Sequence, residues 1–264
     1  MDTNKQYSVL TYNIGGYEKI HPILKKSPNA EYIYVTDDTS IKSDDWTVVY
    51  VPKCDDGFEG CFNIRYNPFD FVHTDIVVKI DGSMTVSGDL DEIIEAFNIG
   101  NYDCCVEVHP SRCTMIEEYS AWVKIRGYDI NQANKCLLFL QNGEGYDVKN
   151  HKGLYQYNFM IQRRNKMNMD WNRMTYALLK YLAPEGKSID RLDQTIGSFV
   201  LNKYFKNSNV MVVDSKICDG SYLTWYAHNS DTKLKVGGQQ CTPYLFNEEP
   251  QIHRFGFTIS ENLQ

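Results

Sequence analysis

The sequence predicts an α/β protein built on a single mixed, mostly parallel sheet flanked by helices. Three observations carry that prediction. Short β-branched runs alternate with helix-period segments through most of the chain, as in α/β architectures. The run Ile76, Val77, Val78 and Ile80 is apolar on both of its faces, as a central parallel strand is. Successive runs also end in acidic or basic residues, and open α/β sheets bind ligands outside the carboxyl ends of their strands.

Taken in order, residues 7–12 read as a first strand, and Asn13-Ile-Gly15-Gly16 follows as a loop that lets backbone approach a ligand. Residues 17–26 carry Ile20, Ile23 and Leu24 at helical spacing and are expected to form a helix ending at Pro28. A second strand, 31–36, closes on Asp37-Asp38, where a base or ribose could be held, although a plain acidic turn is the commoner origin of such a pair. Residues 46–51 form a third strand. The run 75–80 ends in Asp81-Gly82-Ser83, whose carboxylate is placed to hold a metal or a sugar hydroxyl; Asp-Gly is also a common turn dipeptide.

A helix over 89–97 is expected, with Asp89 and Glu92 as a capping box. The strand 103–108 ends in His109-Pro-Ser-Arg112, a pairing suited to phosphate or carboxylate. Thr114 with Glu117 caps the next helix, which leaves Glu118 available. A helix over 131–141 and a loop over 142–145 precede the strand 154–162, which ends in Arg163-Arg164. Extended backbone sends those two arginines to opposite sides. Helices follow over 171–182 and 190–205. In the second of them Asp193 and Gln194 lie near an N-terminus, where free N–H groups favour an anion. Asp190 as cap with Asp193 completing a box is the structural alternative. After the strand 210–213 the pattern becomes irregular, with an aromatic stretch over 222–227, His228, and a C-terminal extension expected to pack on the core.

The 264 residues fit one large α/β domain spanning 1–264. No apolar run approaches the roughly 20 residues of a membrane-spanning helix, and the N-terminus shows no signal-peptide core, so a cytoplasmic protein is expected. Peripheral membrane association stays open. The eight cysteines lack Cys-x-x-Cys spacing, which argues against a zinc site. Cys54 and Cys61 are close enough in sequence to bridge, but reduced thiols are expected in a cytoplasmic chain. Residues 1–150 carry 13 Lys/Arg against 24 Asp/Glu, and residues 151–264 carry 14 against 10. The acidic first part is a poor surface for nucleic acid, whereas the basic second part suits a small anionic ligand such as a diphosphate.

The motifs Thr36-Asp37-Asp38, Ile80-Asp81-Gly82-Ser83, His109-Pro110-Ser111-Arg112 with Glu117-Glu118, Gly153 to Asn158 followed by Arg163-Arg164-Asn165, and Arg191 to Gln194 occur in a familiar order. Over roughly residues 30–205 that order resembles the glycosyltransferase-like domain family of plant cell-wall and mucilage proteins and of bacterial polysaccharide clusters. The resemblance implies a GT-A-like domain and a nucleotide-sugar donor, expected to be UDP-linked. It also implies a glycan or other hydroxyl acceptor in surface polysaccharide synthesis.

By the same resemblance Asp81 stands at the last acid of an Asp-x-Asp motif, binding Mn²⁺ or Mg²⁺ or the donor sugar. Lys79 replaces the first acid. Tyr12, Asn13, Gly15, Asp37 and Ser83 would join it in holding the donor. Asp193 and Gln194 match the pair beside the reacting sugar, and His228 is the loose counterpart of a late metal-binding histidine. His109, Arg112, Glu118, Arg163 and Arg164 would hold acceptor or phosphate. A catalytically inactive glycan-binding or scaffold protein of the same fold is the alternative, motivated by Lys79 and the many aromatics. A sugar nucleotidyltransferase is disfavoured by the lack of a Gly-rich, basic N-terminal loop.

Overall fold

A computed structural model describes residues 5–55, 57–124, 130–182 and 192–234, together with the backbone of 252–253. The strands are β1 (Tyr7–Asn13), β2 (Ala30–Thr36), β3 (Thr47–Tyr50), β4 (Ile76–Ile80), β5 (Met84–Val86), β6 (Cys104–Val108), β7 (Tyr155–Arg163), β8 (Val210–Val213), β9 (Leu223–Trp225) and β10 (Ile252–His253). The helices are α1 (Gly57–Tyr66), α2 (Asp91–Ile99), α3 (Met115–Lys124), α4 (Ile130–Leu138), α5 (Lys166–Leu182) and α6 (Asp193–Tyr204).

One eight-stranded sheet runs in the order β10-β8-β6-β7-β4-β1-β2-β3. β7 is antiparallel to both of its neighbours, β4 and β6, and every other pairing in the sheet is parallel. The carboxyl ends of β1, β2, β4, β6 and β8 therefore share one edge with the amino end of β7. β4 is central and buried at all five positions, as its two-sided apolar run requires. β5 and β9 pair antiparallel as a separate ribbon beside that edge.

Alternation along β4 divides the core. Ile76, Val78 and Ile80 pack with α2 residues Ile93, Ile94 and Phe97 on one face. Val77 packs with Leu10, Ile33 and Ile64 on the face covered by α1. A larger cluster joins β6 and β7 to α3–α6 through Trp122, Trp171, Leu179, Ile196 and Phe199. The Trp171 indole donates to the Gly197 carbonyl at 3.0 Å, which ties α5 to α6.

Three local expectations change. Residues 17–26 form irregular chain with bends instead of a helix, because Pro22 lies inside the segment and cannot donate to a helical ladder. The Leu24 N–H bonds to the Val86 carbonyl at 2.9 Å instead. Asp89 accepts from the Asp91 N–H, but Glu92 takes the Tyr222 hydroxyl, so no capping box closes there. At α3 the box is present, with the Glu117 carboxylate accepting from the Thr114 N–H at 3.0 Å and the Thr114 hydroxyl from the Glu117 N–H at 3.3 Å. Cys54 and Cys61 are free thiols, whereas Cys113 is disulfide-bonded, contrary to the expectation of reduced thiols throughout. Asp190 and Arg191 lie outside the described residues. Among the described residues no helix is long and apolar enough to cross a membrane.

Candidate functional site

At the shared strand edge, α1 delivers one guanidinium to the centre of a cleft of about 220 Å³. Arg65 donates from Nε to the Tyr12 hydroxyl at 2.6 Å and from its two terminal nitrogens to Asp193 and Asp81. Its side chain is 12% exposed, against 7% for Asp193 and 28% for Asp81. Burial works against the charge of Arg65, but Tyr12 and then the carboxylates of Asp81 and Asp193 outweigh it and hold the pKa well above the usual arginine value. The Asp81 pKa is raised as well, here against its charge: burial lifts it above the ordinary range, and Arg65 offsets only part of the shift.

The local fold explains why these groups meet. Asp81 follows β4 on the α1-facing side, two residues beyond Lys79, and its N–H bonds to the Asn158 carbonyl at 3.0 Å. Asp193 is the first residue of α6. Lys79 lies beneath Arg65, 3% exposed, donating to the Arg65 carbonyl at 3.0 Å. Burial and then the Arg65 charge push its amine well below the usual lysine value. Lys79 does not line the cleft and serves as a support for α1.

β7 contributes through a break in its pairing. Along β6, Val106 pairs with Met160 but the next residue, Glu107, pairs with Gln156, so β7 bulges between the two. Bulges beside sites re-aim side chains, and here Gln156 and Asn158 both line the cleft. Gln156 is 5% exposed, and its Oε1 accepts no hydrogen bond from any described residue; the Oε1 of Gln194 is likewise unpartnered. Such a buried acceptor costs about 1–3 kcal/mol while it stays unmade.

The opposite wall comes from the 13–18 loop and the segment after β9. Asn13 and Glu18 close the loop by reciprocal side-chain to backbone bonds, and Gly15 and Gly16 take φ of 75° and 69°. The Gly15 N–H donates to Asp37 at 2.9 Å, so Gly15 and Asp37 shape this loop from just outside the cleft. The buried carboxylate of Glu18 bonds the His228 ring and accepts from the Asn229 N–H at 3.0 Å. The Trp225 indole donates to the Ser83 hydroxyl at 3.1 Å. Tyr12, Asn13, Asp81, Ser83, Asp193, Gln194 and His228 are thus brought together as the sequence suggested.

Compared with known protein families and with curated proteins, the sequence matches none.

The remaining sequence candidates go elsewhere. His109 sits at the same edge but is 3% exposed and turned inward: its Nδ1 accepts from the N–H groups of Ser111 and Arg112. Arg112 bonds Glu118, which also accepts from the Trp122 indole at 3.0 Å. This cluster anchors the start of α3 and does not line the cleft. Arg163 and Arg164 lie at the opposite edge of the sheet, beside the amino end of β4. Arg163 donates to the Tyr102 carbonyl at 3.2 Å, and Arg164 to the Val72 carbonyl at 2.8 Å. Both arginines serve loop closure there, and neither reaches the site.

Mg²⁺ takes six oxygen ligands in near-octahedral geometry, usually one or two carboxylates with substrate phosphates and several waters. Asp81 is bonded to Arg65 and His228 to Glu18, and the guanidinium lies between the two aspartates. Among the described residues no three His, Cys, Asp or Glu side chains gather as a ligand set. An ion held by Asp81 would therefore have to displace or share the Arg65 contact, with the donor's phosphates and water completing its shell.

Sequence reasoning missed Arg65, Glu18, Gln156 and Asn158 as site residues. A signal existed for Arg65: it is the only arginine among residues 1–111, and it lies between Ile64 and Tyr66. Both neighbours are buried. A lone arginine inside an apolar helix needs a partner, and none is near in sequence.

Proposed function

We propose that this protein is a glycosyltransferase that moves a sugar from a nucleotide-linked donor, UDP-linked by resemblance, to a hydroxyl of a glycan or similar acceptor. One observation carries the reading: Asp81 from a strand end and Asp193 from a helix start converge on Arg65 in one cleft at the carboxyl edge of the sheet. Ligand sites of open α/β sheets belong at that edge. The motif order shared with the glycosyltransferase-like family supports the same reading, including its place in polysaccharide synthesis.

In the reaction, the bond between the anomeric carbon and the donor's diphosphate breaks, and its electron pair leaves with the diphosphate. The acceptor oxygen bonds to the anomeric carbon and gives up its proton. Asp193 is the carboxylate placed to take that proton or to support the positive charge that grows on the sugar, and Arg65 fixes its position. Asp81 and Gln194 orient hydroxyls, and the cleft holds the reactants in register. No step here runs through a metal ion.

The test is turnover and binding of UDP-sugars by the protein and by Asp193→Asn. Turnover falls at least about a hundredfold on the scale of general acid–base catalysis, with donor binding retained. A protein that neither binds nor turns over any nucleotide sugar removes the proposal.

A second reading, a glycan-binding protein without catalysis, is favoured by the ion pairing of both aspartates to Arg65. It requires that glycan binding survive in Asp193→Asn and that the native protein show no turnover.

A further inference from the structure

The interior of the cleft is rich in hydrogen-bond acceptors. The Oε1 atoms of Gln156 and Gln194 accept nothing from the described residues, and the carboxylates of Asp81 and Asp193 are acceptors only. Three carboxylates, those of Glu18, Asp81 and Asp193, line the cleft with one guanidinium. A diphosphate brings only acceptors and negative charge, so it complements none of these groups except Arg65. A sugar ring brings several O–H donors without charge. The cleft's size agrees, since about 220 Å³ falls below the roughly 300–1,000 Å³ of pockets that enclose drug-sized ligands. The enclosed space is that of about one ring, and the rest of a nucleotide sugar would extend toward the open side of the cleft. Aromatic rings of Phe62 and Trp225 line the same space and offer apolar surface to a ring's C–H face.

Resting on the glycosyltransferase reading, we propose that Gln156, with Asn158 and Gln194, forms the specificity subsite for the donor's sugar. The ring enters with its hydroxyls on these amides, and the diphosphate stays at the cleft mouth. Gln156 is the residue that decides this. Its carbonyl is buried and unpartnered in the protein alone, and the β7 bulge that presents it breaks an otherwise regular ladder.

Gln156→Met tests the assignment, because it removes the unpartnered carbonyl while keeping side-chain length, and so leaves folding intact. The measurement is calorimetric binding of UDP and of a panel of UDP-hexoses to the native protein and the variant. The expected result is that the native protein binds at least one UDP-hexose more tightly than UDP. Gln156→Met then weakens that hexose nucleotide about tenfold and leaves UDP unchanged. If the variant weakens both alike, or neither, the subsite is overturned and the transferase reading stands. If the native protein binds no nucleotide at all, the transferase reading fails and the donor-sugar subsite is overturned with it.

Discussion

Replacing Arg65 by Met removes one charge and leaves two carboxylates facing each other. Removing one partner of a buried ion pair costs about 3–5 kcal/mol, because the other charge stays desolvated and uncompensated. Asp193, at 7% side-chain exposure, carries most of that penalty, and Asp81 at 28% is partly hydrated. The expected loss is therefore near the lower end, about 3 kcal/mol at pH 7. The sign of its pH dependence follows from linkage. Without Arg65 nothing offsets burial, so the Asp81 pKa rises further above its unfolded value and the like charge of each acid works against ionisation of the other. The folded state then holds protons that the unfolded state has released, and its stability declines as pH rises through that window.

The deficit relative to the native protein should thus be largest at pH 7 and shrink by on the order of 1 kcal/mol toward pH 5. Urea unfolding at both pH values measures it. Adding Asp193→Asn to Arg65→Met should recover much of the loss, as coupled groups do. A deficit below about 1 kcal/mol at pH 7, or one indifferent to both pH and Asp193→Asn, would refute the view that Arg65 holds the two acids together.

Three further outcomes are expected. Glu107 is 1% exposed beside the Cys218 thiol, and burial raises its pKa well above the carboxylate range. Native stability should fall by up to about 1.4 kcal/mol per pH unit above that range, and Glu107→Gln should flatten the profile; parallel profiles in urea melts would count against a protonated Glu107. Dialysis against EDTA should leave UDP-hexose affinity unchanged, and a loss of more than about tenfold that Mn²⁺ restores would place an ion among Asp81 and its neighbours. Gly82→Ala should destabilise by about 1–3 kcal/mol in thermal or urea melts, because its added Cβ would lie 2.7 Å from the Tyr12 carbonyl oxygen, a backbone atom that cannot swing aside; wild-type stability would show that the turn yields.

Patterns of adjacent residues made much of the fold legible. The two-sided apolar run of β4 marks a central strand, and Thr114 with Glu117 marks the start of α3, because both signals act over a few residues. Where a local pattern competed with a backbone constraint, the constraint won, as at Pro22. The strand-end rule pointed to Tyr12, Asn13, Asp81 and Ser83, which share one cleft with Asp193 and Gln194 from a helix start and with His228, named only through the family resemblance. It could not separate His109 and Arg112, which lie at the same edge but turn inward to anchor α3.

By itself, then, the sequence determined the mixed α/β sheet and the two aspartates, since hydrophobic period and strand-end chemistry are written in neighbouring positions. Only the tertiary structure decided what lies between those aspartates. Arg65 is far in sequence from Asp193, and its role depends on how α1 packs across β4. The bulge that turns Gln156 inward arises from pairing between β6 and β7. Long-range packing set both, and no stretch of adjacent residues records it.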